Sequence, residues 1–157
     1  MAAEIHAQLT GLDVQHCWIE GDNLDMAYPT PWEQGHALAE ANLGAMWRNY
    51  KALGYSRLLY TNTAAVRSDV MPSLVAALGD HPAVHAILLT SSDDAADRRL
   101  SQRELGSGLA WHSQRSHRAA GELESLAPPW VQRVDTDHRQ IIDIARYIID
   151  FVGWDDR

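Results

Sequence analysis

Helical and strand-like segments alternate along the whole chain, and the series opens on a helix. Residues 2–9 (Ala-Ala-Glu-Ile-His-Ala-Gln-Leu) carry helical periodicity closed by Thr10-Gly11, with no strand and no Gly-rich turn before them. A mostly apolar, strand-like run follows at Val14–Glu20 and stops at Gly21-Asp22-Asn23. Thr30, Pro31 and Glu33 have the N-cap, first-turn and capping-box spacing of a helix predicted over about 32–53, with a stop at Gly54. Arg57–Thr61 reads as a short buried strand, about 69–78 as a helix, and His85–Thr90 as a strand apolar enough for burial on both faces. Ser92-Asp93-Asp94 caps a helix over about 93–105. Gly106-Ser107-Gly108 breaks it, and a further helix covers about 109–125. After the Ala127-Pro128-Pro129 turn, Val131–Val134 is a weaker strand and about 138–152 a strongly periodic closing helix. The order α-β-α-β-α-β-α-α-β-α predicts a mostly parallel sheet with helices on both faces. An α/β domain that opens on a helix lacks the strand that should feed it.

The chain has 157 residues, one domain's length, with 46% hydrophobic and 22% charged residues, enough for a single core without staples. No apolar run approaches the ~18 residues of a membrane span, and no basic-then-apolar leader opens the chain. The single cysteine, Cys17, lies in an apolar strand-like run and reads as a small buried hydrophobe rather than a nucleophile. These features predict a cytoplasmic protein. A net charge of −8 argues against nucleic-acid and anionic-membrane partners, which need a positive footprint. Oligomeric state stays open, a homodimer included.

In a parallel α/β sheet, ligands bind at the carboxyl ends of the strands. The first such end, Glu20-Gly21-Asp22-Asn23-Leu24, turns at glycine and projects Asp22 over the sheet edge. There it could accept a proton from a substrate hydroxyl or help hold Mg²⁺ through water. Alternatively, Asp22 or Asn23 only caps the following turn. Asn62 stands at the next strand end.

The second signal is Arg98, Arg99, Arg103 and Arg115 around the Gly106-Ser107-Gly108 elbow. Arginine forks bind phosphate oxygens bidentately, and Arg99 and Arg103, four apart, share a helix face. This pattern suits a lid closing over a polyphosphate. The competing reading is a solvated surface helix neutralised by Glu104 and by Asp93, Asp94 and Asp97. The third signal is Val134-Asp135-Thr136-Asp137-His138, which could sit beside a purine base or simply N-cap the last helix.

The eight histidines form no metal-ligand motif: His112 and His117 are five apart, and there is no H-E-x-x-H. Of the six tryptophans, Trp18, Trp47 and Trp130 fall in core-like contexts. Trp32 and Trp111 lie where they could wall a substrate pocket or simply pack. No G-x-S-x-G elbow is present. The one lysine, Lys51, sits near the end of a helix and cannot serve at the tip of a phosphate loop.

With these residues in place, nearly the whole chain resembles the P-loop small-molecule kinases, in particular the adenylylsulfate-kinase-like and gluconate-kinase-like groups. Ala2–Leu9 is similar to the helix after the P-loop. Glu20-Gly21-Asp22-Asn23-Leu24 is similar to an Asp-Gly-Asp-Asn signature with Glu20 in place of the first Asp. Arg98–Arg115 resembles the arginine lid, and Asp135-Thr136-Asp137 the turn near the adenine.

The resemblance implies a three-layer α/β/α fold around a five-stranded parallel sheet in the order 2-3-1-4-5, in which residues 94–125 hold the lid. Val14–Glu20, Arg57–Thr61, His85–Thr90 and Val131–Val134 would be strands 2 to 5. Strand 1 and the G-x-x-x-x-G-K-[ST] (Walker A) loop have no counterpart. Nor does Thr61-Asn62-Thr63 offer a Walker-B-type acid.

The implied activity is ATP-dependent phosphoryl transfer to a hydroxyl of a small metabolite, with ATP and Mg²⁺ as cofactors where the loop is present. Asp22, Arg99 and Arg103 would be catalytic. Asn23, Trp32, Asn62 and Trp111 would bind the acceptor, and Arg98, Arg115, Asp135, Thr136 and His138 the nucleotide. Without the loop the chain is expected to be inactive. Three origins are open: a chain missing about 20 upstream residues, a non-catalytic binding or interaction remnant, or a gap closed by another chain.

Overall fold

A computed structural model describes residues 1–103 and 109–155, apart from the side chains within 102–115. The elements are α1 (Ala2–Gly11), β1 (Cys17–Glu20), α2 (Leu38–Ala52), β2 (Leu58–Thr61), α3 (Met71–Leu78), β3 (Ile87–Thr90), α4 (Asp93–Arg103), α5 (Leu109–Leu126), β4 (Gln132–Asp135) and α6 (Ile141–Phe151). Short 3-10 turns occupy Gly21–Asn23 and Trp32–Gln34. The alternation read from the sequence is therefore present, as a mixed α/β fold.

The strands form two separate two-stranded parallel sheets. β1 pairs β2 from Cys17↔Leu58 to Glu20↔Thr61, and β3 pairs β4 from Ile87↔Gln132 to Thr90↔Asp135. Helix periodicity explains how they are covered. Ile5 and Leu9 recur on one face of α1, and Ile144, Ala145, Ile148 and Ile149 on one face of α6. These two faces pack together with Val134 of β4, and Leu59 of β2 and Ile87 of β3 join the same cluster. One helical layer thus spans both sheets. A second cluster joins Ile19 of β1 to Leu43 of α2 and Leu74 of α3, and a third joins Leu88 of β3 to Ala127 and Val131.

Several sequence expectations need correction. The helix predicted over about 32–53 is two elements. Pro31 starts only the 3-10 turn, Gly35 takes φ +78°, and α2 begins at Leu38. Glycine adopts that left-handed geometry without a Cβ clash, so the capping-box residues lead into a turn rather than a long helix. β3 is not buried on both faces. Leu88 is buried, but Leu89 is 40% exposed because the α1–α6 cluster covers Ile87 and goes no further along that side. Trp47 is buried as expected, whereas Trp18 is 36% and Trp130 58% exposed. Among the described residues, no helix is long and apolar enough to cross a membrane.

Candidate functional site

The carboxyl ends of β1 and β2 are tied together by one carboxylate. Gly21 turns the chain directly after Glu20, leaving Asp22 on the exposed side of the 3-10 turn. Asp22 Oδ1 accepts from Asn62 Nδ2 at 2.8 Å and from the Thr63 amide at 3.0 Å; Oδ2 accepts from Thr63 Oγ1 at 2.7 Å. Asn62 is aimed by its own turn, because its Oδ1 accepts from the Ala64 amide at 2.8 Å. Asp22 therefore caps a turn, but the turn after β2 rather than its own. An ionised carboxylate has about four lone-pair sites, so three donors leave one on Oδ2 open toward solvent.

Tyr60 completes this corner. Its hydroxyl is buried and has no hydrogen-bond partner. Burial first, then the negative charges of Asp22, Glu40, Asp25 and Glu20, push its pKa up to about 12. A Cβ on Gly21 would stand 2.3 Å from that hydroxyl oxygen and 2.8 Å from the Thr61 carbonyl oxygen. Glycine is required there by close approach. Sequence reasoning singled out Asp22 and Asn62 but missed the roles of Thr63 and Tyr60; their placement at the end of the paired strand was the available signal. Asn23 is exposed beside Asp22, and Trp32, further along the same loop, is 65% exposed. An open depression of about 520 Å³ lies under that loop, lined by Pro29, Pro31, Leu38 and Ala41 among others.

The second group lies at the carboxyl ends of β3 and β4. Thr136 is buried, and both its amide (2.9 Å) and its hydroxyl (2.8 Å) donate to the Thr90 carbonyl. Arg99 of α4 reaches across to it: Nη1 donates to Thr136 Oγ1 and Nη2 to the Thr136 carbonyl, both at 2.8 Å. The Ser92 amide donates to Asp137 Oδ2 at 3.0 Å, and Ser92 Oγ accepts from the Ala95 amide at 3.3 Å, capping α4. The hydrogen bonds from Ser92, with smaller help from Arg99 and His138, hold the Asp137 carboxyl below its usual range. Asp135 Oδ1 accepts from the Asp137 amide at 3.0 Å, and His138 takes φ +56° at the exposed end of this turn.

The structure thus joins the arginine helix to the Asp135–His138 turn, a connection that linear spacing did not reveal. Arg98 is exposed on α4. The side chains of Arg103, Trp111 and Arg115 lie outside the described residues. His117 of α5 meets Asp97 at 3.0 Å and Asp93 at 3.8 Å, tying α5 to α4.

Among the described residues, no hydrogen bond or ion pair joins the Asp22 group to the Arg99 group. No cluster of three or more His, Cys, Asp or Glu side chains there could hold a metal. Cys17 is buried, and burial pushes its thiol up to about 11, so it stays protonated near neutral pH, as expected of a packing residue.

These two strand-end groups sit on a fold already seen in another protein. The chain is similar in fold to the tunicamycin resistance protein of Deinococcus radiodurans. That solved structure matches 96% of this chain and 90% of its own, with a TM-score of 0.59 and 17% sequence identity. At that identity the likeness concerns the fold alone. No protein-family model matches the chain, and neither does any curated protein.

Proposed function

We propose that residues 1–157 are most of a P-loop-kinase-like, three-layer domain that works in the cytoplasm. Its complete form would transfer phosphoryl groups from ATP to a hydroxyl of a small metabolite. The observation that carries this reading is the split sheet. Among the described residues, β2 and β3 each lack a ladder partner on their second edge, yet Leu59 and Ile87 join one core cluster. Backbone donors and acceptors on such inner edges need partners, and one parallel strand between them would supply both edges at once. The resulting order is the one the kinase resemblance implies.

On this reading Asp22 receives the acceptor hydroxyl's proton or supports the metal's water shell, through the open lone pair on Oδ2. Asn62 and Thr63 hold its position, and Asn23 and Trp32 flank the acceptor. Arg99 joins the lid to the base-side turn of Asp135, Thr136 and His138. A guanidinium carries five N–H donors, so Arg99 keeps donors for phosphate beyond the two that hold Thr136. Arg98, Arg103 and Arg115 would supply further lid charge, and Trp111 a further wall.

The residues present fit the acceptor and lid sides, but they do not fit ATP alone. Lys51, the chain's single lysine, pairs with Asp80 and stands in the last turn of α2. No transfer step therefore runs through these 157 residues by themselves. The second reading is a non-catalytic binding or interaction module. It is favoured by Asp22 already accepting three hydrogen bonds within the fold, which gives it a turn-capping role without a substrate.

The test compares the 157-residue chain with a version extended by the in-frame residues encoded upstream of Met1. The extended protein should show a Mg-ATP-dependent rise in Tm and ATP turnover that depends on Asp22. The shorter chain should show neither. A clear Mg-ATP shift in the shorter chain overturns the reading that ATP binding needs a Walker A loop upstream. An extended protein silent toward ATP leaves the interaction module. Tunicamycin, named for the structural neighbour, belongs among the acceptors tried.

A further inference from the structure

We propose that His6 and His16 form a two-imidazole site for a divalent cation that prefers tetragonal coordination, Cu²⁺ or Ni²⁺. Such a site would exist whether or not the chain is kinase-like. His6 lies on α1 and His16 just before β1, yet His6 Nδ1 and His16 Nε2 stand 2.8 Å apart. His16 is 9% exposed, and its Nδ1 lies 2.8 Å from the Val14 carbonyl oxygen. A carbonyl can only accept, so Nδ1 carries the proton and Nε2 presents a lone pair. Donation of the second ring N–H to a backbone carbonyl is how metal-binding histidines are fixed in tautomer and orientation.

In the cation-free protein, His6 Nδ1–H donates to that lone pair. Cation binding needs this proton to move to His6 Nε2 through water, which releases no net proton and leaves two nitrogen lone pairs side by side. His6 is exposed, so its ring turns toward the shared ion at the cost of its hydrogen bond to His16. Two imidazole nitrogens completed by water oxygens form an N,O donor set, which suits tetragonal Cu²⁺ or Ni²⁺, and affinity at such sites peaks at Cu²⁺. Water would fill the remaining positions on the solvent side.

The Trp18 ring lies 6.2 Å from that of His6, so Cu²⁺ held there should quench Trp18 emission. The test is a CuCl₂ titration of the full chain, followed by tryptophan fluorescence and by pulsed EPR of the bound ion. One tight site with two coordinated imidazoles is expected. The exposed-site variant His6→Ala should weaken it at least tenfold and abolish the quenching, while His36→Ala at another exposed histidine leaves both unchanged. Circular dichroism of His6→Ala checks that the fold persists. An EPR signal with a single imidazole, or undiminished affinity in His6→Ala, overturns the proposal and leaves a plain histidine–histidine hydrogen bond.

Discussion

Arg99 holds Thr136 twice, through Nη1 to the side-chain oxygen and through Nη2 to the backbone oxygen, each at 2.8 Å. The pair is one of the hydrogen-bonded links between α4 and the turn after β4, beside that of the capping Ser92 amide to Asp137, and it gives one arginine two separable roles. In the proposed enzyme Arg99 faces phosphate, while in the fold itself it fastens α4 to the turn after β4. Arg99→Ala should lower stability by about 1–2 kcal/mol, the range for charged hydrogen bonds at a partly exposed site. Thr136→Val should cost a similar amount, and the double variant less than the sum of the two, because the residues share one interaction. Urea unfolding of the four proteins measures this. Strict additivity would remove the structural role, and turnover of the N-terminally extended protein then reports the phosphate role alone.

Asp22 makes a comparable distinction testable. Asp22→Ala strips three donors of their acceptor and should destabilise by about 1 kcal/mol, given its exposure. Asp22→Asn keeps Oδ1 for Asn62 Nδ2 and the Thr63 amide and presents Nδ2 to Thr63 Oγ1, which can rotate to accept. It should therefore be nearly as stable as the parent. If Asp22 receives a proton or supports a metal, Asp22→Asn abolishes turnover in the extended protein despite its stability. Equal loss of stability in both variants would count against the capping geometry.

The corner beneath Asp22 predicts an unusual pairing of effects. Gly21→Ala forces a Cβ against the Tyr60 hydroxyl and the Thr61 carbonyl and should cost about 1–3 kcal/mol. Tyr60→Phe removes a buried hydroxyl that has no partner and should be neutral or stabilising. In combination Tyr60→Phe relieves only a small part of the Gly21→Ala penalty, since the ring Cζ at 2.5 Å and the Thr61 carbonyl at 2.8 Å both remain. Denaturant midpoints of the single and double variants give the coupling directly.

Alkaline pH should erode stability in two overlapping steps. Cys17 rises from its ordinary 9.0 to about 11 and Tyr60 from 10.0 to about 12, both chiefly through burial. In each case the folded state keeps a proton that the unfolded state releases. Their contribution is fully present below the unfolded value and is lost as pH climbs to the folded one. Stability should thus fall from about pH 9 to about pH 12. Cys17→Ala should flatten the lower part of that fall and Tyr60→Phe the upper part, as read by the melting temperature across the range.

The sequence carried the local information well. Glycines and polar residues at Gly21-Asp22-Asn23, Asn62 and Thr136 mark strand ends because a chain leaving a strand needs a turn and new hydrogen-bond partners. α6 was legible because its apolar residues recur at helical spacing over eleven residues. The helix predicted over about 32–53 failed at Gly35, where a capping pattern suits a single 3-10 turn as readily as a long helix. Trp18 and Trp130 looked like core residues by their neighbours, but exposure depends on whether another element covers them, and none does so fully.

By itself, the sequence determined the alternation of helices and strands, the one lysine placed away from any phosphate loop, and the acid and arginines that could carry chemistry. Those features follow from short-range periodicity, turn chemistry and composition. Only the tertiary structure decided which of them meet: Asp22 with Asn62 and Thr63 across 40 and 41 residues, Arg99 with Thr136 across 37, and His6 of α1 with His16 just before β1. It also decided that the strands form two pairs rather than one sheet. Contacts of that kind depend on strand register and on which faces pack together, and no local pattern in the chain encodes them.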